Sequence, residues 1–132
     1  MLSSISRENG LEHFQIFKRS VNVDKYVQWV TKLRELNGEA RICLFMDQLS
    51  SHKAERAKKA MRELGFRFIY NRSYSPELNP IELVFSKVKH TFKTLRAKKL
   101  VGNIQGSHEA LAARAMRSVR KQDVVNCVNH VN

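Results

Sequence analysis

The chain has 132 residues, a length that suits one domain and is short for two. Apolar residues make up 42% of the sequence, so a disordered chain is not expected. No apolar run approaches the roughly 20 residues needed to cross a bilayer. The first residues also lack the pattern of a secretory signal. These features predict an intracellular protein whose two cysteines are reduced.

Basic residues outnumber acidic ones by two to one, with 24 Lys and Arg against 12 Asp and Glu, giving a formal charge of +12. A charge of this size predicts a polyanionic partner, either nucleic acid or an acidic membrane surface. Residues 83–121 hold ten of the bases and one acid, whereas the other 93 residues hold 14 bases and 11 acids. The basic character therefore lies mostly in the C-terminal third of the sequence.

Hydrophobic periodicity and turn residues predict a series of short elements. In chain order they are a hairpin over 2–17 with its turn at Asn9-Gly10, a helix capped by Asn22 and ended by Gly38, a strand over 42–46, a helix over 50–64, a strand over 66–70, a helix from Pro80 to Leu95, a basic break over 96–106, and a helix over 107–119. The run 42–46 is short and wholly apolar, which predicts a strand covered on both faces. A strand–helix–strand unit beside a hairpin predicts α/β architecture with a mixed sheet.

Two carboxylates stand out by their positions. Asp47 ends the most apolar predicted strand, at the sheet edge where ligands collect in α/β proteins. Glu82 lies in the first turn of a predicted helix, after Asn79 as N-cap and Pro80 as first helical residue. Thirty-four residues separate the two acids, and the intervening helix and strand would return the chain to the same edge. Two converging carboxylates would bind a hard cation such as Mg²⁺.

Each of these residues also has a structural interpretation. Glu82 follows Asn79 by three residues and would complete a capping box with it. Asp47 would cap the helix that follows the strand. His52 lies close to Asp47 in the sequence, but an isolated histidine is more often structural than catalytic.

Two blocks, LFMDQLSSHK over 44–53 and YSPELNPIE over 74–82, resemble the catalytic core of the mariner superfamily of transposases. These enzymes belong to the DDE group and have an RNase-H-like fold. The second block, with the 34-residue spacing of the acids, is the most specific feature. The resemblance implies an α/β fold with an RNase-H-like mixed sheet, hairpin plus parallel strands, flanked by helices. It implies a partial DDE domain over about 1–100, followed by a basic helical tail over 101–132.

The resemblance also assigns the acids. Asp47 matches the second catalytic acid and Glu82 the third, so both are expected to bind Mg²⁺ (or Mn²⁺). Four further positions support the motif: His52, Pro76, Asn79 and Pro80. No aspartate stands where the family has its first catalytic Asp, on the first central strand. The chain is therefore expected to lack that strand, to be an incomplete fragment, and to be inactive alone.

The implied function is DNA strand cleavage and strand transfer in DNA transposition, by two-metal phosphodiester chemistry. DNA phosphates would contact six bases: Lys87, Lys89, Lys93, Arg96, Lys98 and Lys99. The implied partners are transposon-end and target DNA, a second copy of the chain or a longer transposase chain, and no membrane. The expected location is the nucleus in a eukaryote and the cytoplasm otherwise.

Two other functions are compatible with these features. A non-catalytic DNA-binding remnant of a transposase would keep the basic surface without the first Asp. Another RNase-H-like nuclease is disfavoured by the block from Ser75 to Glu82. Cleavage of transposon-end DNA distinguishes the transposase from the remnant.

Overall fold

The computed structural model describes residues 1–131, which form four strands, six helices and one 3₁₀ turn. In chain order the elements are β1 Leu2–Ser6, β2 Gly10–Gln15, α1 Val23–Asn37, β3 Cys43–Met46, α2 Ser50–Lys53, α3 Glu55–Glu63, β4 Arg67–Tyr70, the 3₁₀ turn Pro76–Leu78, α4 Pro80–Leu100, α5 His108–Arg117 and α6 Lys121–Val131. The chain divides into two compact units. We call them the strand unit (residues 1–2 and 17–79) and the helical unit (residues 3–16 and 80–131).

In the strand unit, α1 begins and ends where the sequence predicts. The Asn22 side chain accepts a hydrogen bond of 2.9 Å from the Lys25 amide, and Gly38 ends the helix with a positive φ of 58°. The apolar stripe of α1 packs against α3 and against strands β3 and β4. The buried core of this unit comprises Leu2, Tyr26, Trp29, Val30, Leu33, Met46, Ala57, Met61 and Phe66.

Strands β3 and β4 pair in parallel, with Met46 opposite Tyr70, as expected for a strand–helix–strand unit. The prediction that the first of these strands is covered on both faces is wrong. Successive side chains of a strand point to opposite faces, and here only one face is covered. Met46 lies in the core, whereas Phe45 is 46% exposed and Ile69, opposite Phe45 on β4, is 58% exposed.

Strands β1 and β2 form the predicted hairpin, in a sheet separate from that of β3 and β4. No strand among residues 1–131 bridges the hairpin and the parallel pair. Gly10 begins β2 with φ of 76°, a conformation that favours glycine. A Cβ atom there would lie only 3.0 Å from Cα of Lys121 in α6, so the close approach also requires glycine.

The single helix predicted over 50–64 is wrong, because the helix breaks at Ala54. Ala54 has ψ of 140°, which separates the short α2 from α3. Within α2 the carbonyl oxygen of His52 accepts a hydrogen bond of 2.7 Å from the Tyr70 hydroxyl. This bond satisfies a carbonyl group next to the break, and it connects α2 to the end of β4.

The helical unit is built on α4, which is longer than the sequence predicts. The helix continues through the expected basic break at Arg96 and ends at Leu100, because Lys, Ala and Leu are good helix formers and no glycine occurs before Gly102. The Ser107 side chain caps α5, as predicted, by accepting from the Ala110 amide at 3.1 Å. The core of this unit comprises Val84, Val88, Leu95, Leu111, Ala115, Met116, Val124 and Cys127. No helix within residues 1–131 is both long enough and apolar enough to cross a membrane.

Candidate active site

Asp47 follows β3 directly, at the carboxyl end of the parallel pair. Its Oδ1 lies 2.8 Å from Nδ1 of His52 and accepts a longer hydrogen bond of 3.4 Å from the Leu49 amide. The carboxylate lies off the line of the ring N–H, so this is a close contact rather than a linear hydrogen bond. The N-cap position of α2 is Leu49, so Asp47 does not cap that helix in the ordinary way.

The imidazole of His52 holds the pKa of the Asp47 carboxyl below its ordinary value, and this effect outweighs the opposing effect of burial. The Asp47 side chain is 42% exposed. An ionised and partly exposed carboxylate at a strand end is a suitable oxygen donor for a hard cation.

His52 is buried, although most histidines lie nearer the surface. Its ring lies 4.5 Å from the ring of Tyr26, tilted by 36°. The Tyr26 hydroxyl in turn contacts the sulfur atoms of Met46 and Met61, each at 3.4 Å. Burial, reinforced by the charges of Tyr70 and Asp47, raises the pKa of Tyr26 above its ordinary range, so the phenol stays neutral.

A polar network fixes the loop that follows β4. The Gln48 side chain donates to the carbonyl oxygen of Asn71 at 2.8 Å, and the Asn71 amide donates to the Met46 carbonyl at 2.6 Å. The Asn71 side chain donates to the carbonyl oxygen of Ser75 at 2.7 Å. Asn71 is buried, so these bonds satisfy groups that water cannot reach. The network ties the residue after Asp47 to the first part of the YSPELNPIE block.

The rest of that block has a defined local structure. Tyr74 is fully exposed and has φ of 57°, which is unusual for a residue with a side chain. Pro76 opens the 3₁₀ turn, and Pro80 is the first residue of α4, as predicted. Asn79 between them is buried and extended.

Glu82 lies in the first turn of α4 in the helical unit and is partly buried. Just before this helix, the Asn79 amide donates to the Pro76 carbonyl at 3.0 Å. Among residues 1–131, the Glu82 carboxylate makes no ion pair.

Asp47 belongs to the strand unit and Glu82 to the helical unit, so each is described within its own unit. Of the motif residues, the structure brings His52 against Asp47. Within the described part of the chain, no group of three or more His, Cys, Asp and Glu side chains is arranged to hold a metal ion.

All six bases expected to contact DNA lie exposed on α4. They do not share one face. Lys89, Lys93 and Arg96 are spaced by four and three residues, which places them on one side of the helix. Lys87 lies on another side, where its Nζ is 3.2 Å from Oδ1 of Asp123.

The model of the DDE superfamily endonuclease family matches residues 1–104, which include both sequence blocks and both acids. The chain belongs to the DDE superfamily endonucleases. This membership confirms the resemblance to the DDE group. No curated protein sequence matches the chain.

The fold of this DDE family member is also that of solved structures. It resembles the crystal structure of the catalytic domain of Mos1 mariner transposase, with a TM-score of 0.72 and 16% sequence identity over 94% of this chain. The same domain with raltegravir and Mn matches equally well. A pre-cleavage Mos1 transpososome matches with a TM-score of 0.59 and 14% identity over 95% of this chain. These likenesses confirm the α/β RNase-H-like fold class.

The chain spans 64% of the Mos1 catalytic domain in its crystal structure, 66% of it in the structure with raltegravir and Mn, and 42% of the transpososome chain.

Sequence reasoning missed three residues that surround Asp47 and His52 at this candidate site. Asn71 directly follows the strand predicted over 66–70, and its position as a polar residue at a strand end is the signal that could have identified it. Nothing in the sequence marks Tyr26 and Tyr70 as neighbours of His52, because they lie 26 and 18 residues away along the chain.

Proposed function

We propose that this protein is part of the catalytic domain of a DDE transposase, which cleaves DNA strands and transfers them to target DNA. The match of the family model to residues 1–104 is the observation that carries this proposal. The catalytic domain is proposed to occupy about residues 1–100, with 101–132 as a basic helical tail. A protein with this activity would act in the nucleus of a eukaryote or in the cytoplasm of a prokaryote.

Asp47 and Glu82 are the proposed ligands of Mg²⁺ or Mn²⁺. The donor set fits such an ion, because carboxylate oxygens are hard ligands and Mg²⁺ is commonly held by one or two carboxylates while keeping several waters. Two observations support this fit. The pKa of Asp47 is lowered, which keeps its carboxylate charged at neutral pH, and no Lys or Arg within residues 1–131 forms an ion pair with either acid.

A divalent ion bound there would supply activation of the attacking water or hydroxyl and stabilisation of the leaving oxygen. The chain's own contribution is to hold its ligands in place. His52 fixes one oxygen of Asp47. The hydrogen bonds of Gln48 and Asn71 fix the segment that follows β3 and the loop that follows β4. Pro80 and α4 fix the backbone of Glu82 in a helical turn.

The proposed DNA contacts are Lys87, Lys89, Lys93, Arg96, Lys98 and Lys99. Their exposure on one long helix supports this role, and five of them make no ion pair within residues 1–131. Unpaired ammonium and guanidinium groups bind phosphates without reading sequence, and the resulting affinity falls steeply with salt. A second copy of the chain, or a longer transposase chain, is the proposed protein partner.

The test of the enzyme proposal is cleavage of transposon-end DNA by the full chain with Mg²⁺ or Mn²⁺. Under this proposal the chain nicks the DNA, contrary to the sequence-based expectation that it is inactive alone, and nicking disappears in both Asp47→Asn and Glu82→Gln. Glu39→Gln, which alters an exposed acid outside the site, is the matched control and should leave nicking unchanged. Nicking that survives either acid variant would contradict the assignment.

A non-catalytic DNA-binding remnant is the second candidate function. One observation favours it: within residues 1–131 no third acidic or histidine side chain joins Asp47 or Glu82 to form a larger ligand group. This candidate predicts DNA binding that is independent of metal and unchanged by Asp47→Ala, with no nicking at all. The cleavage experiment therefore separates the two functions directly.

A further inference from the structure

We propose that His52 is a positioning residue for Asp47, which holds Oδ1 of the carboxylate so that Oδ2 faces a divalent cation. This inference rests on the proposed function, in which Asp47 is a metal ligand. It adds a role for a histidine that would not itself contact the ion. The contact between Nδ1 and Oδ1, at 2.8 Å, is the observation that suggests it.

The two oxygens of Asp47 have different surroundings. Oδ1 receives both of the carboxylate's contacts, from the His52 ring and from the Leu49 amide. Oδ2 makes no hydrogen bond or ion pair within the described residues 1–131. A carboxylate held through one oxygen presents the other in a fixed direction, which suits a metal ligand.

His52 is itself held too firmly to be an incidental neighbour. Its residue is only 8% exposed, and one side of its ring packs on Tyr26. The Tyr70 hydroxyl, at the end of β4, donates to its backbone carbonyl oxygen at 2.7 Å. Ring and backbone are therefore fixed by different elements, α1 and β4, while the imidazole faces the end of β3.

The contact with a carboxylate also selects the form of the ring. An Nδ1 that carries hydrogen can donate towards Oδ1, whereas the lone pair of an unprotonated Nδ1 would repel that carboxylate oxygen. The other ring nitrogen, Nε2, has no hydrogen-bond partner within residues 1–131. Within the described structure, the Asp47 carboxylate is the only polar group found in close contact with a nitrogen of the ring. A histidine with a purely structural role would instead use its nitrogens to satisfy the core around it.

Two substitutions separate the donor from the packing. His52→Phe keeps a ring against Tyr26 and removes the donor. His52→Asn keeps an amide nitrogen near the position of Nδ1 and removes the ring. His52→Leu is a second donor-free variant, for use if the phenylalanine variant does not fold.

The measurement is Mn²⁺ binding to the full chain, followed by electron paramagnetic resonance of the free ion, with circular dichroism to verify folding. We expect His52→Phe to weaken Mn²⁺ binding about 10–100-fold, the usual loss when a residue that orients a metal ligand is removed. We expect His52→Asn to bind Mn²⁺ within about threefold of wild type while being less stable, because it keeps the donor and loses the packing.

Two outcomes would overturn the positioning role. The first is wild-type Mn²⁺ affinity in a folded donor-free variant. The second is weaker Mn²⁺ binding in His52→Asn than in His52→Phe, which would mean that the packing of the ring matters and the donor does not. Asp47→Asn distinguishes failure of the proposed function: if it binds Mn²⁺ as wild type does, Asp47 is not a ligand, and both the metal assignment and the role of His52 are wrong.

Discussion

The strand unit and the helical unit carry the same formal charge but differ in how many of their acids form ion pairs with Lys or Arg. The strand unit has 13 bases and 7 acids, the helical unit 11 bases and 5 acids, so each has a formal charge of +6. Four acids of the strand unit form ion pairs with Lys or Arg: Asp24, Glu35, Glu55 and Glu63. In the helical unit, Asp123 alone does so within the described residues.

This difference shows why net charge does not by itself locate a DNA-binding surface. A base that already faces a carboxylate gives up that partner when it contacts a phosphate, whereas a solvated base gives up only water and small ions. Exposed ion pairs contribute about 0–1 kcal/mol each to stability. The pairing in the strand unit therefore does little for its stability, but within residues 1–131 it occupies four of the 13 bases of that unit, against two of 11 in the helical unit.

The largest expected effects come from the two cores. Leu33 in the strand unit and Leu111 in the helical unit are each buried to within 3% of complete burial. Leu33→Ala and Leu111→Ala should each lower the free energy of unfolding by about 2–5 kcal/mol, because each leaves a cavity. Leu36→Ala and Leu100→Ala alter exposed leucines of α1 and α4, and should cost within about 0.5 kcal/mol.

Urea unfolding followed by circular dichroism measures all four variants. A small effect of Leu33→Ala and a large effect of Leu111→Ala would contradict this prediction, since only the helical unit would then have a well-packed core.

A smaller effect is expected where the hairpin approaches α6. Gly10→Ala should destabilise the helical unit by about 1–3 kcal/mol more than Gly102→Ala. Both glycines have similar positive φ, 76° and 79°, so the backbone strain is matched. Only Gly10 has a backbone atom 3.0 Å from the added Cβ, whereas Gly102 has open space. Equal midpoints in urea for the two variants would contradict this packing.

The smallest predicted effect is a pH dependence, with one acid in each unit. Contact with His52 lowers the pKa of Asp47, and a hydrogen bond from the Arg120 amide is the main contact that lowers the pKa of Asp123. Each pKa therefore lies below its ordinary value of 3.8, although burial opposes the shift. A carboxyl with a lower pKa in the folded state stabilises the protein above the pKa of the unfolded chain. That stabilisation is lost as the pH falls through the folded pKa.

The wild-type urea midpoint should therefore fall more steeply below about pH 4 than that of Asp47→Asn or Asp123→Asn. Parallel curves for wild type and both variants would show that neither carboxyl contributes.

The sequence predicts local elements best where caps and periodicity are strong. Asn22, Gly38, Pro80 and Ser107 mark helix ends that the structure has at the same places. It fails where a tertiary contact decides the outcome. The break at Ala54 lies beside a bond from Tyr70, and the exposure of Phe45 depends on which face the helices cover, which no local pattern encodes.

The same distinction applies to the candidate site. Asp47 and Glu82 are visible from motif and spacing, because their positions at a strand end and a helix start follow from local structure. The support around Asp47 is visible only in part: His52 belongs to the motif, whereas Tyr26 and Asn71 come from other elements of the strand unit that no local pattern connects to Asp47. The assignment of both acids as metal ligands stays a prediction.

The most direct test of the central claim is the salt dependence of DNA binding by two triple variants of equal charge. One replaces the unpaired Lys89, Lys93 and Arg96 by Gln. The other replaces by Gln three bases that are paired with acids in the strand unit: Lys32, Lys58 and Lys59. Fluorescence anisotropy with duplex DNA, between about 50 and 200 mM salt, gives the slope of log affinity against log salt.

We predict that the α4 variant loses affinity and that its slope becomes shallower by about 0.9 for each lost phosphate contact, up to about 3 in all. The strand-unit variant should keep the wild-type slope. Equal loss of slope in both variants would contradict the account, because it would mean that DNA responds to total charge and not to the unpaired face of α4.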